Sequence, residues 1–243
     1  MFNNKKKDVI LWNKKIPECD YDFSDFFIKA KSNLPEWWLK IPSEKYNFVG
    51  TIKNCPSFLD IFKNSFIFKS PFDIAIQYNK QDLEFYHGDR NVNLMGYDSH
   101  TDFRKNPSQM GSYWDRDLQN LKMSPGLLTY SKNTKIKYIM MPSTFWNPKF
   151  FMQPVPGTVD LLPKITLDMS VNFFLNIQDT QKVTTTKHLI KADEPLALFY
   201  FPNGLPQVEF SENVKPIPRK KLVGDYLINL KNFKEVKKCP FKF

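Results

Sequence analysis

The sequence predicts a mainly β protein, an antiparallel β-sandwich or jelly-roll-like fold with short N-terminal helices and a C-terminal helix. Three observations carry this. Apolar residues recur at every second position in several short stretches, the period of half-buried strands. Pro outnumbers Gly, 18 to 8, which favours extended segments and rigid turns over long helices. Hydrophobic residues reach 42% and aromatics 16%, enough for one sizeable core. Sequence pattern divides the chain into an extended arm (1–20), one body with a helical N-terminal part (21–215), and a C-terminal helix with a tail (216–243).

In the arm, Val9-Ile10-Leu11-Trp12 is a short apolar run. Residues 22–42 read as one or two short helices broken at Pro35, with Ser32 or Asn33 placed to cap the turn at Leu34-Pro35-Glu36. Trp37-Trp38 supplies a large apolar area that clamps this part onto the body. Cys55-Pro56 opens a helix in which Phe58, Leu59 and Phe62 can share a face. The period then changes to two through Phe72, Ile74, Ile76 and Tyr78, with a further strand at 82–86.

Residues 88–125 read as a polar loop, followed by strands at 126–130 and 136–142 and a Pro-punctuated linker at 148–163. Strands follow at 164–177 and 183–191. Pro195–Pro202 is nearly all apolar and reads as central and buried. Leu222, Val223, Tyr226, Leu227 and Leu230 have helical spacing.

Net charge is +10, with the dense basic runs at the ends: Lys5-Lys6-Lys7, Arg219-Lys220-Lys221 and Lys237-Lys238. Solvated terminal charges explain them better than nucleic-acid binding, since no zinc-finger, basic-zipper or RNA-recognition signature accompanies them. Cys19, Cys55 and Cys239 are odd in number and far apart, which points to a reducing compartment rather than a disulfide framework. No signal peptide or run of about 18 apolar residues is present, so export and membrane insertion are not expected.

Ordered phrases in the chain resemble a family of uncharacterised proteins encoded by large tailed phages of marine bacteria and cyanobacteria. They are LPEWWLKIP (34–42), TIKNCPSFLDIFKNSFIF (51–68), SPGLLTY (124–130), YIMMPSTFWN (138–147), PGTVDLLP (156–163), SVNFFLNI (170–177) and HLIKADEPLALFYFP (188–202). The family's pattern is matched at Trp37, Trp38, Thr51, Ile52, Lys53, Cys55, Pro56, Phe58, Pro142, Gly157, Val159 and Asp160. It departs at Ala192-Asp193-Glu194-Pro195, where the family has a Gly-Thr-Pro turn. The resemblance implies a phage-encoded β-sandwich with a role in the virion, as a minor component, or in its assembly. Its partners would be other virion proteins and copies of itself, in the virion or the host cytoplasm, with no enzymatic mechanism and no cofactor. Candidate interface anchors are Trp12, Trp114, Trp146, Phe150 and Phe151, since aromatic residues dominate interface energetics.

A competing reading starts from His100-Thr101-Asp102, which with His188 has the composition of a facial triad for Fe(II) in a 2-oxoglutarate-type oxygenase. Against it, Leu196-Ala197-Leu198-Phe199 offers no cation for a co-substrate carboxylate. Lys191 sits on the strand face opposite His188, and the triplet lies in a stretch without strand periodicity.

Overall fold

The computed structural model describes residues 8–13, 22–45, 49–70, 73–79, 83–87, 118–148, 152–163, 167–176 and 185–212. They form a mainly β structure with two short helices, α1 (Glu36–Lys40) and α2 (Pro56–Lys63). The early strands are β1 (Val9–Asn13), β2 (Phe27–Lys29), β3 (Glu44–Lys45), β4 (Val49–Gly50), β5 (Ser65–Lys69), β6 (Ile74–Asn79) and β7 (Leu83–His87). The later ones are β8 (Leu118–Ser131), β9 (Ile136–Pro142), β10 (Met152–Pro154), β11 (Gly157–Leu161), β12 (Leu167–Asn176), β13 (Thr185–Ile190), β14 (Pro195–Tyr200) and β15 (Gln207–Ser211). No described helix is long and apolar enough to cross a membrane. The C-terminal helix expected from the sequence lies outside the described residues.

Two five-stranded sheets carry the core. One has the order β10-β12-β8-β1-β15 and the other β11-β9-β14-β5-β2. They meet at Trp12. This indole, on β1 of the first sheet, lies 4.3 Å from the Phe27 ring and 6.3 Å from the Phe199 ring of the second. Phe27 stacks on Phe66 at 4.7 Å, and Phe199 packs on Tyr138 at 5.4 Å. Strand alternation explains the cluster. On β9, Ile136, Tyr138 and Met140 are buried while Lys137 is exposed. Burial also pushes the Tyr138 phenol well above its ordinary pKa, so it stays neutral.

β1 departs from the expected antiparallel arrangement. It pairs antiparallel with β8 but parallel with β15. Of the arm expected at 1–20, Val9–Asn13 is therefore an interior strand of its own chain, with Ile10 and Trp12 fully buried.

β8 is longer than expected, because residues 118–125 are strand rather than loop. The Pro125-Gly126 pair reads as a turn in sequence, but a bulge absorbs it. Between the Leu127↔Met169 and Met123↔Val171 pairs, three residues of β8 stand opposite Ser170 alone. The expected linker at 148–163 likewise contains β10 and β11, each at the border of its sheet, where Pro is tolerated. Residues 195–202 behave as expected: β14 lies between β9 and β5, and Leu196, Ala197 and Leu198 are wholly buried.

The antiparallel ladder of β5 with β14 continues into β6 with β13. The Lys69↔Pro195 pair keeps the register of the β6–β13 ladder, so the two ladders form one ribbon bent at 191–194, with a one-residue shift between Pro195 and Ala197. β13, β6 and β7 make a separate three-stranded sheet. At the bend Asp193 adopts φ 65°, the left-handed region. Asp is among the few residues other than Gly that tolerate it.

Two outcomes follow from this packing. Trp12→Ala removes the contact shared by both sheets and lowers unfolding free energy by about 3–5 kcal/mol in chemical denaturation. Asp193→Gly relieves the left-handed backbone and raises it, by up to about 1 kcal/mol.

Candidate contact surface

Ahead of α2, the turn at 51–55 uses its Thr51, Lys53 and Asn54 side chains to hold residues 39–43. The Thr51 hydroxyl donates to the Pro42 carbonyl at 2.7 Å and accepts from the Lys53 amide at 3.3 Å. The Asn54 side chain donates to the Ser43 carbonyl at 2.9 Å. Lys53 Nζ reaches the Ile41 carbonyl at 3.0 Å and the Leu39 carbonyl at 3.4 Å, placing a cation at the C-terminal end of α1. Pro56 at the first helical position starts α2, as expected from the sequence. α1 differs from expectation: Pro35, rather than Ser32 or Asn33, is its N-cap, with no side-chain cap bond.

The two helices pack on a turn that follows β9. Trp146 and Asn147 amides both donate to the Ser143 carbonyl, at 2.9 and 3.1 Å, and the Ser143 hydroxyl donates to the Pro195 carbonyl at 2.8 Å. This single turn sets Phe145 and Trp146 against the helices. Phe145 lies 5.1 Å from Phe58, Trp146 lies 5.6 Å from Phe62, and Trp38 lies 4.8 Å from Phe62. Both indoles cross-tie the unit. Trp37 Nε1 donates to the Phe145 carbonyl, and Trp146 Nε1 donates to the Asn33 carbonyl at 2.6 Å. Edge-to-face aromatic pairs of this kind contribute about 0.5–1.5 kcal/mol each beyond area burial.

The same segment also exposes apolar side chains. Leu39 is 59% exposed, Ile52 39% and Leu59 47%, and Trp37 and Phe58 are half-buried. Lys40 and Lys63 are exposed in the same helices, with Lys40 paired to Glu36. The Lys40 hydrogen bond and charge hold the Glu36 carboxyl below its ordinary pKa. α2 is fixed to β14 by the Tyr200 hydroxyl donating to Asp60, and that bond raises the Tyr200 pKa.

The expected site residues fall in different places. Trp12 is buried in the core of its own chain, because β1 is interior to a sheet and Phe27 and Phe199 already cover the indole. It offers no surface to a partner. Trp146 is half-buried, with its indole N–H already used. Trp114, Phe150, Phe151, His100 and Asp102 lie outside the described residues. His188 is on β13, opposite Ile76, and Ile76 is opposite Phe85. His87 closes β7 opposite Ile74. Among the described residues no group of three His, Cys, Asp or Glu could hold a metal ion.

Comparison with protein-family models, curated proteins and solved structures returns no match.

Sequence reading put Leu59 on one face with Phe58 and Phe62, whereas Phe62 is buried and Leu59 is exposed; Leu39 and Ile52 were not expected as surface anchors. The available signal was angular. Leu59 precedes Phe62 by three positions and sits to the side of the buried stripe, whereas Phe58, four positions before, lies nearer its centre.

The surface depends on the ribbon bend through a short relay. Asp73 accepts from the Ala192 amide at 2.8 Å and from Lys191 Nζ at 3.1 Å. Glu194 accepts from the Lys191 amide at 2.9 Å and from the Asn147 side chain, next to Trp146. The Ala192 amide, and then the Lys191 ammonium, hold the Asp73 carboxyl below its ordinary pKa of 3.8. A lowered carboxyl pKa stabilises the fold above the unfolded-state value, and that contribution disappears as pH falls through the folded-state value. Stability measured from pH 7 downward should therefore fall through the acid carboxylate range, and Asp73→Asn should flatten that part of the curve.

Proposed function

We propose that this protein is a phage-encoded, non-enzymatic component of the virion or of its assembly, and that it acts by protein–protein contact through the α1–α2 surface. The observation that carries the contact reading is the grouping of exposed apolar side chains. Three of the four large hydrophobic residues exposed among the described residues, Leu39, Ile52 and Leu59, fall in α1, the turn before α2 and α2 itself, and only Leu189 lies elsewhere. Grouped exposed apolar residues on a folded chain mark interaction surfaces more often than chance exposure does. The cross-tied aromatic base keeps them ordered before any partner arrives, which reduces the ordering cost of association. The phage and virion part of the proposal is supported by the ordered sequence phrases from 34 to 202, whose shared positions include Trp37, Trp38 and the Thr51-to-Pro56 turn beneath this surface.

Partners on this reading are other virion proteins and copies of this chain, each presenting apolar surface. Fully burying a side chain such as leucine is worth about 1.5–3 kcal/mol, so a few anchors here suffice for a specific contact with a matching polar rim. The mechanism needs no bond making. It requires a rigid apolar patch, a soluble lysine-containing border and a partner of complementary shape.

The test is a Leu39→Asp/Leu59→Asp double variant expressed in place of the unaltered chain during infection. Surface changes of this kind should alter folding stability by no more than about 0.5 kcal/mol each. Quantitative mass spectrometry of purified particles should show the unaltered chain present and the variant reduced at least about tenfold, the factor given by about 1.4 kcal/mol of lost binding. A folded variant incorporated at the normal level would remove the surface from the account. Absence of the unaltered chain from particles and from their assembly intermediates would refute the virion assignment.

A further inference from the structure

The charged groups around Leu39, Ile52 and Leu59 are unevenly engaged. The carboxylates of α1 and α2, Glu36 and Asp60, both have partners. Lys40 Nζ lies 2.5 Å from Glu36. Asp60 accepts from the Tyr200 hydroxyl and from the Asn64 side chain, the latter at 2.7 Å. Lys53 and Lys63, by contrast, have no carboxylate partner among the described residues. Lys63 is exposed and Lys53 half-buried. Both stand beside the apolar side chains. Lys63 follows Leu59 by four positions in α2, so the two share a helix face. Lys53 follows Ile52 in the chain, and its Nζ lies 3.4 Å from the Leu39 carbonyl.

We propose that the occupant of this surface is a segment of a different protein that presents an apolar stripe bordered by carboxylates. This rests on the contact reading of the surface and narrows its partner. Covering Leu39, Ile52 and Leu59 takes Lys53 and Lys63 out of water as well. An ammonium buried without a counter-charge is costly, and a carboxylate on the partner offsets that cost. A second copy of this chain brings the same two lysines and, among the described residues of this face, no carboxylate that is not already engaged. The net charge of +10 opposes its approach further. An anionic bilayer matches the lysines but also meets Glu36, which lies three positions before Leu39 on the same side of α1. A protein segment can place its carboxylates opposite Lys53 and Lys63 and leave the Glu36–Lys40 pair alone. Charge complementarity acts on specificity more than on raw affinity, so the quantity to read is preference between partners.

Two model peptides of about 18 residues, long enough to hold a helix, serve as probes. Each carries leucine along one face, flanked by glutamate in one peptide and by lysine in the other. Both are titrated at low salt into the isotope-labelled full chain, and the amide signals of 36–40 and 52–63 are followed by nuclear magnetic resonance. The glutamate peptide should shift these signals and bind at least about tenfold tighter than the lysine peptide, with the preference shrinking as salt rises. In a Lys53→Gln/Lys63→Glu variant the preference should fall to about twofold or less. Should that variant not fold, Lys63→Glu alone should reduce the preference at least about threefold. Equal binding of the two peptides at these amides, or a preference that the variants keep, would overturn the acidic partner and leave the contact reading standing. Shifts of the same amides with rising protein concentration alone would assign the surface to a second copy. Shifts with phosphatidylglycerol vesicles but with neither peptide would assign it to a lipid surface. Either result overturns the proposal. So does the absence of any response to both peptides, while the contact reading itself is decided by the particle experiment above.

Discussion

The packing of one indole, Trp12, between two sheets is the constraint on which the rest of this structure depends. Its ring reaches Phe27 on β2 and Phe199 on β14, and through them Phe66 and Tyr138. Four strands of the second sheet are thus organised around a residue near the start of the chain. A large aromatic at that place contributes more buried area than any aliphatic alternative. The backbone of β1 is equally committed, with β8 on one side and β15 on the other. The N-terminal strand therefore closes the first sheet and supplies the core between both.

The second organising feature is the bent ribbon. β5 and β14 lie inside the second sheet, and β6 and β13, which continue from them in register with the Lys69↔Pro195 pair, form most of the three-stranded sheet. The bend needs one left-handed residue, Asp193, and polar partners for the backbone it exposes. Asp73 and Glu194 provide these partners, and Glu194 also holds Asn147 beside Trp146. The geometry of the bend is thereby passed to the aromatic turn that supports α1 and α2. In that support the aromatic rings pack on one another and the Trp37 and Trp146 N–H groups are paired, while Leu39, Ile52 and Leu59 remain exposed.

Much of this was legible in the sequence, for identifiable reasons. β5, β6, β9 and β14 alternate or run continuously in apolar residues, and these patterns have direct physical meanings. Pro56 marked the start of α2 because its fixed φ suits a first helical residue. Other features were hidden because local signals opposed them. Pro125-Gly126 resembles a turn, and only the partner strand β12 turns it into a bulge. β10 and β11 are short and flanked by Pro, so their pairing depends on neighbours distant in sequence. The role of Trp12 was illegible for the same reason: an apolar run near a chain end looks alike whether it lies across a neighbour or inside its own sheet. The exposed leucines were missed because one helical position separates a buried face from an open one.

The most direct test of the account is whether Trp12 occupies the space between the sheets in solution. In an isotope-labelled full chain, nuclear Overhauser effects from the Trp12 indole protons report this contact. The account predicts strong cross-peaks to the rings of both Phe27 and Phe199, which belong to different strands of the second sheet. Cross-peaks to neither ring, with an indole that solvent paramagnetic agents broaden readily, would contradict it.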